Sequence, residues 1–359
     1  MFEGLSTAAL AGVFLLAAAA VWYAGIRLVD ATDVLDEKWK LGAALGGIIL
    51  LAVATNLPEI AITLSASAAG NPGVAVGNIL GGIAIQTVVL VALDAFGMRD
   101  KRPLTYRAAS LVLVLEGVLV IAVLNIAIMA TQLPDTLIFA RVTPGPLLIA
   151  ILWVIGVWMI ARAQKSLPWH EPSEDAPKLQ RGPMGHSKRQ RVADFLRQSS
   201  ARGAVLKFAW ASAVTLVAGV VLERSGDVIA DRLGMSGVVF GATFLAVATA
   251  LPELSTGFRA ARKADYQLAI SDIFGGNAFL PVLFLVATVV SGSAVLPRAE
   301  NTDIYLAALG VLLTCVYVAG LIFRPRRRIL GLGPDSLVVL VLYALGMLGL
   351  FAIGVGPPG

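Results

Sequence analysis

The chain has 359 residues, 58% of them hydrophobic and 14% charged, with a net charge of +5 and a mean hydropathy of +0.83. These values exclude a soluble domain, and the lone Cys315 excludes an intramolecular disulfide or a Cys-built metal cluster. The excess positive charge is spread over alternate loops, a pattern of membrane topology and not of nucleic-acid binding.

Runs of about 20 apolar residues, long enough to cross a hydrocarbon core, begin at the N-terminus. They predict helices over 6–29, 41–69, 73–97, 108–132 and 143–164, and after a polar stretch over 203–223, 236–262, 266–291, 303–323 and 334–356. The expected fold is an all-α integral membrane protein of ten transmembrane helices. Ala17–Ala20 resembles a signal-peptide cleavage region, but the residues ahead of it carry Glu3 and no Lys or Arg, so the first span reads as a retained helix.

Basic residues cluster at Arg99, Lys101, Arg102 and Arg107, from Arg162 to Lys207, at Arg259, Arg262 and Lys263, and at Arg324 and Arg326–Arg328. The loops between them, near Thr131–Arg141 and Ser291–Asp303, are poor in basic residues. By the positive-inside rule both termini lie outside and the central polar segment lies in the cytoplasm. Five helices per half is an odd number, so the second half enters the membrane from the opposite side. The chain divides into a first five-helix repeat at 1–164, a cytoplasmic linker at 165–202 and an inverted second repeat at 203–359.

The linker is rich in Pro, Gly, Ser and charge and holds both histidines, His170 and His186. It reads as a solvated tether with one short helix near Arg191–Gln198. Glu171, Glu174 and Asp175 lack the spacing of a calcium loop, and the basic run Lys188 to Arg202 suits anionic headgroups. Arg324-Pro325-Arg326-Arg327-Arg328 reads as a helix stop at the cytoplasmic face.

Leu51–Glu59 reads LAVATNLPE, and Leu245–Glu253 reads LAVATALPE, 194 residues later. The same offset relates Ala75 to Ala269, Ile79 to Ile273, and Gly81-Gly82 to Gly275-Gly276. An intramembrane carboxylate is expensive and points to function; two at matched places in two halves point to a transporter built from structural repeats. In each copy a proline precedes the glutamate. Pro58 and Pro252 have no N–H for the carbonyls of Ala54 and Ala248, which frees backbone oxygens within the membrane. With Thr55 and Thr249, each motif offers a carboxylate, a hydroxyl and loosened carbonyls, an all-oxygen set suited to hard cations such as Ca²⁺, Na⁺ and Mg²⁺.

The following helix of each half adds Asn78, Gly81, Gly82 and Gln86, or Ser271, Asp272, Gly275, Gly276 and Asn277. The glycine pairs permit close helix approach. Asp272 reads as a third carboxylate of the site or its near neighbour, with Gln86, Asn277 and Ser271 as secondary candidates. Glu116 has Gly310 at the repeat-related place and reads as structural, and Asp94 reads as a solvated residue at a membrane end.

This constellation resembles the cation/calcium exchanger superfamily, whose two alpha-repeats carry Gly-Thr-Ser-Leu-Pro-Glu and then Gly-Asn-x-x-Gly-Ser-Asn, and most resembles its sodium/calcium exchanger family. The resemblance covers about 41–97 and 236–292. It implies that Glu59 and Glu253 bind the transported cation with Thr55 and Thr249, and that carbonyls near Ala52 and Ala246 serve coupling ions. The chain departs from the pattern at Asn56 and Ala250, at Gly82 and Gly276, at Gln86 and Leu280, and at Asp272, which replaces the Asn matched by Asn78. Asn56 is similar to the Gly-Asn-x-x-Glu pattern of cation/proton exchangers.

The function expected is a secondary antiporter exporting Ca²⁺ in exchange for Na⁺ or, alternatively, H⁺, with no cofactor. Its partners are inorganic cations and the bilayer of a prokaryotic inner membrane, and the chain reads as a monomer. Alternating access would come from 6–29 and 203–223 sliding past a fixed core. A passive channel would use the same carboxylates, but channels usually build selectivity from rings of subunits. A membrane sensor would give no flux. An intramembrane hydrolase lacks His-Glu-x-x-His and Gly-x-Ser-x-Gly. Cysteine-accessibility labelling should place residues near both termini outside and 165–202 inside; either terminus on the cytoplasmic side would refute the inverted arrangement.

Overall fold

The computed structural model describes residues 2, 4–39, 51–98, 102–136, 138–163, 200–235 and 237–354. Residues 41–50 of the second predicted span, and nearly all of the linker with both histidines and the helix expected at 191–198, lie outside the described residues. The described chain is helical, apart from isolated bridges at Phe139 with Val142 and Ile329 with Leu332. This is an all-α integral membrane protein, and eight of its described helices are long and apolar enough to cross a membrane.

The first half holds α1 (Thr7–Trp39), α2 (Leu51–Thr55), α3 (Leu57–Ala69), α4 (Pro72–Ala92), the short α5 (Leu104–Ala108), α6 (Leu111–Ala130) and α7 (Pro144–Ala163). The second holds α8 (Ala201–Leu233), α9 (Gly237–Phe240), α10 (Ala246–Thr249), α11 (Leu251–Arg262), α12 (Tyr266–Phe279), α13 (Leu283–Ser291), α14 (Asn301–Phe323) and α15 (Pro334–Gly354). Two spans are longer than hydropathy gives. α1 and α8 each run 33 residues, roughly 50 Å at the helical rise, because their polar ends continue the helix past the apolar stretch.

The helices at the two motifs are broken at matched places. α2 ends at Thr55 and α3 begins at Leu57, with Asn56 at φ −88°, ψ 14° between them. α10 ends at Thr249 and α11 begins at Leu251, with Ala250 at φ −77°, ψ 0°. The prolines at the second position of α3 and α11 cause both interruptions, since neither donates back along the helix. Each break is followed at once by a normal i→i−4 bond, from Ile60 to the Asn56 carbonyl and from Leu254 to the Ala250 carbonyl, both 3.0 Å. Around the second motif the helix is looser still, with a π-turn at Gly241–Leu245, and α12 passes into α13 through a 3₁₀ turn over Leu280–Val282.

α4 and α12 form the centre and are buried along most of their length. α6 and α14 pack against them, and α7 and α15 lie outermost, turning Leu147, Ile151, Val154, Val341, Leu345 and Leu348 outward, faces that suit lipid. α1 and α8 pack along each other and against the broken helices.

At the Arg-rich end the expectation for Asp94 is corrected. It is fully buried in the π-turn Leu93–Gly97. Its carboxylate accepts from the backbone N–H of Leu104 at 2.8 Å and of Gly333, and faces Arg328 at 3.7 Å. It thereby satisfies orphan donors at the starts of α5 and α15. Arg324, in left-handed conformation after α14, donates to the Tyr106 carbonyl at 3.4 Å. The arginine run therefore ties two halves of the chain together as well as stopping a helix.

Close packing sets the central contact. A Cβ on Gly81 would lie 2.2 Å from the Cα of Ala242, in the π-turn before α10. Overpacking of this kind costs about 1–3 kcal/mol. Gly81→Ala should lower the midpoint of thermal unfolding in detergent by several degrees; an unchanged midpoint would show that these helices separate freely.

Candidate functional site

The breaks place Glu59 and Glu253 in the first turns of α3 and α11. There the positive end of a short helix dipole favours a carboxylate. Both residues are completely buried. None of their four carboxylate oxygens completes a hydrogen bond of normal geometry. Among the described residues, no Lys or Arg forms an ion pair with either.

The two halves cross at this point. The Glu59 carboxylate interacts with Thr249 of the second motif and with Gln86 of α4. The Glu253 carboxylate interacts with Thr55 of the first motif, and electrostatically with Glu59 and Asp272. Each glutamate therefore faces the threonine of the other half. Thr249 donates to the Ala246 carbonyl at 3.2 Å, which leaves the lone pairs of its hydroxyl available. That carbonyl, expected to be open, also accepts from Ala250 at 3.0 Å. Ala52 lies in the helical turn of α2.

The remaining candidates divide. Gln86 donates weakly to the Asn56 side-chain carbonyl at 3.5 Å, and both residues are fully buried beside the pair. Asn78 is also fully buried, and neither atom of its amide completes a bond. Asp272 accepts from Thr256, one turn beyond Glu253, so it flanks the pair towards the Arg-rich end. Asn277 donates to Thr87 at 3.2 Å and to the Ile83 carbonyl at 3.4 Å. It joins α12 to α4. Ser271 is not brought to the pair; it donates to Glu116 at 2.9 Å. The Glu116 reading gains a cause here, for its carboxylate anchors α6 to α12 and is itself buried.

Sequence reasoning passed over two residues, Gly25 of α1 and Gly219 of α8. A Cβ on Gly25 would lie 2.8 Å from the Pro252 side chain, and one on Gly219 would lie 2.7 Å from Ala61 Cβ and 3.2 Å from the Pro58 carbonyl. They are themselves 194 residues apart. Extending the repeat offset upstream of the motif would have found them.

Chemically, the arrangement is a pair of buried carboxylates beside the hydroxyls of Thr55 and Thr249 and the amide of Gln86, and among the described residues no nitrogen base or thiol lies near it. It can desolvate and neutralise a hard cation.

The family model described as sodium/calcium exchanger protein matches residues 9–164 and 203–355. The chain is 26% identical over 284 residues to the inner membrane protein YrbG of Escherichia coli (strain K12), covering 79% of this chain and 80% of that one. Its fold is similar to that of the H⁺/Ca²⁺ exchanger CAX, with TM-score 0.67 and 14% identity over 96% of this chain and 85% of that one. It is also similar to the sodium-calcium exchanger NCX_Mj, with TM-score 0.57 and 18% identity over 96% and 99%.

A divalent ion held between the two carboxylates would lose half of its offsetting charge with either one. Glu59→Gln and Glu253→Gln should each reduce counter-ion-driven Ca²⁺ flux in vesicles by about 100-fold or more, equivalent to ~3 kcal/mol. Near wild-type flux in either variant, at equal amounts of inserted protein, would make that glutamate structural.

Proposed function

Because the chain belongs to the sodium/calcium exchanger family of membrane ion transporters, we propose that it is a secondary antiporter moving Ca²⁺ against Na⁺ around Glu59 and Glu253. It is a transporter and not an enzyme. The observation that carries the proposal is the crossed pair itself: two buried carboxylates, each beside the other half's threonine, with no ion pair to a cationic side chain among the described residues.

Two bare negative charges in an apolar interior cost several kcal/mol each. A divalent cation bound between them removes that cost, and so do two monovalent cations or protons. Ions that compete for the same charges bind in alternation. The uncompensated empty site is a poor state in which to reorient, so movement without cargo is suppressed and exchange is enforced. Thr55, Thr249 and the carbonyls of Ala54 and Ala248 replace the water that the ion sheds.

The architecture we propose has ten transmembrane helices, with the two broken motif helices joining the eight long spans. They form two inverted five-helix repeats at 1–164 and 203–359, joined by a cytoplasmic linker in a prokaryotic inner membrane. The matched breaks at Asn56 and Ala250, and the crossing of the motifs, support this reading. α1 and α8, which grip the prolines from outside the core, are the elements we assign to alternating access.

A second reading, Ca²⁺/H⁺ exchange, has one observation in its favour. Ala250, Gly82, Gly276 and Leu280 leave few side-chain oxygens around the pair, and a proton needs only a carboxylate. Vesicles loaded with Ca²⁺ decide between them. At clamped pH an inward Na⁺ gradient should release Ca²⁺; release driven by a pH gradient alone, with none from Na⁺, would select proton exchange.

A further inference from the structure

Two junctions at opposite ends of the bundle are built alike and charged differently. In each, the short turn that precedes a long helix meets a hairpin of the other half. Pro103, before α5, and Pro297, in the turn before α14, are 194 residues apart. The hairpin bridges, Phe139 with Val142 and Ile329 with Leu332, are 190 residues apart. Away from the Arg-rich end the junction closes on itself, for Arg298 of the turn faces Asp135 of the hairpin at 3.6 Å. At the Arg-rich end the corresponding junction gathers two cations and no acid.

Tyr106 of α5 is buried, and two guanidiniums lie against its ring. That of Arg102 is 4.7 Å from the ring centroid and that of Arg324 is 5.1 Å from it. Arg102 donates to the Tyr106 hydroxyl and Arg324 to the Tyr106 backbone carbonyl. Among the described residues neither arginine forms an ion pair, and the Nε of Arg324 is buried without an acceptor. Each guanidinium thus keeps most of its donor fork unspent. Two like charges on one ring repel, and attraction to the ring offsets that only in part.

Backbone strain is accepted to make this arrangement. Arg324 stands at φ 51°, ψ 65°, the left-handed helix end where glycine is the ordinary residue. At the opposite junction α6 ends on Thr131 at φ −67°, so a matching hairpin forms without a left-handed residue at the helix end. Beside the arginine run, Phe323 and Leu330 are almost fully exposed, side chains that suit a lipid environment. Paired guanidiniums with free donors recognise phosphate oxygens, and basic pockets between membrane helices take lipid headgroups.

We propose that Arg102 and Arg324, braced on Tyr106, hold the phosphate of an anionic phospholipid at the Arg-rich membrane face, with Phe323 and Leu330 against its acyl chains. The lipid supplies there the negative charge that Asp135 supplies at the opposite junction. Arginines near a membrane face also act as a general topological signal; the shared ring and the strained backbone set this pair apart. The site is separate from the carboxylate pair and independent of which ions are exchanged.

The test is the thermal unfolding midpoint of the full chain in neutral detergent with added phosphatidylglycerol, phosphatidylcholine or inorganic phosphate. Phosphatidylglycerol should raise the midpoint by several degrees, by binding the folded state alone, and the other two should not. Glycine suits the left-handed position, so Arg324→Gly should nearly keep the lipid-free midpoint and lose the shift. Arg102→Gln should lose it too; if that variant fails to insert, Arg324→Gly decides alone. Arg326→Gln combined with Arg327→Gln removes more charge, from exposed side chains of the same run, and should keep most of the shift. Absence of a shift in the unaltered chain overturns the proposal, and so does a shift that survives Arg324→Gly. An equal loss in the Arg326 and Arg327 variant overturns it in favour of diffuse charge. An equal shift from inorganic phosphate overturns it in favour of a free anion.

Discussion

Two carboxylates in an apolar bundle, with no basic partner among the described residues, set the terms for the rest of this molecule. Glu59 and Glu253 are buried and uncompensated, a condition that most folds remove by pairing the charge or moving it to the surface. Here the surrounding elements maintain it. The proline breaks put each carboxylate at a helix N-terminus, where a partial positive charge offsets some of its burial. The glycines of α4 and α12 let the broken segments approach, and that approach brings each glutamate to the other half's threonine.

Rigidity has to come from somewhere, because broken helices contribute little of it. The wholly buried stretches of α4 and α12, braced by α6 and α14, form one continuous apolar core. At one end Asp94 closes the frame by accepting from backbone donors at the starts of two helices distant in sequence, with Arg328 alongside. Deeper in, Glu116 and Ser271 join α6 to α12. Buried polar groups thus have two uses here: Asp94 and Glu116 tie elements of the frame together, whereas the carboxylates of Glu59 and Glu253 at the crossing point complete no hydrogen bond.

Much of this was legible in the residues. The repeated Leu-Pro-Glu located both helix breaks and both glutamates because a proline acts on the backbone wherever it stands, and because a carboxylate in an apolar run has few structural uses. Helix ends were less legible. Hydropathy reports contact with lipid, so it stopped α1 at 29 and α8 at 223, whereas helical hydrogen bonding continues through polar residues to Trp39 and Leu233. Asp94 looked solvated because its partners, Leu104 and Gly333, offer backbone N–H groups, which carry no side-chain signature. The turns before α7 and α15 were hidden for a similar reason. They share a hairpin shape with left-handed residues, Ala140 and Arg141 in one and Leu330 and Gly331 in the other, yet three of those four are not residues that advertise it.

The notches at Gly25 and Gly219 carry a mechanical consequence. The first half's long helix is keyed into the second half's proline, and the second half's into the first half's. Each break is thus held in part from the other half. A shift of either helix would therefore press on the opposite motif, and α1 and α8 also run along each other. In the alternating access proposed above, the pair would act as an interlock of the kind used in canal gates or airlocks, where the drive of one door is mounted on the other.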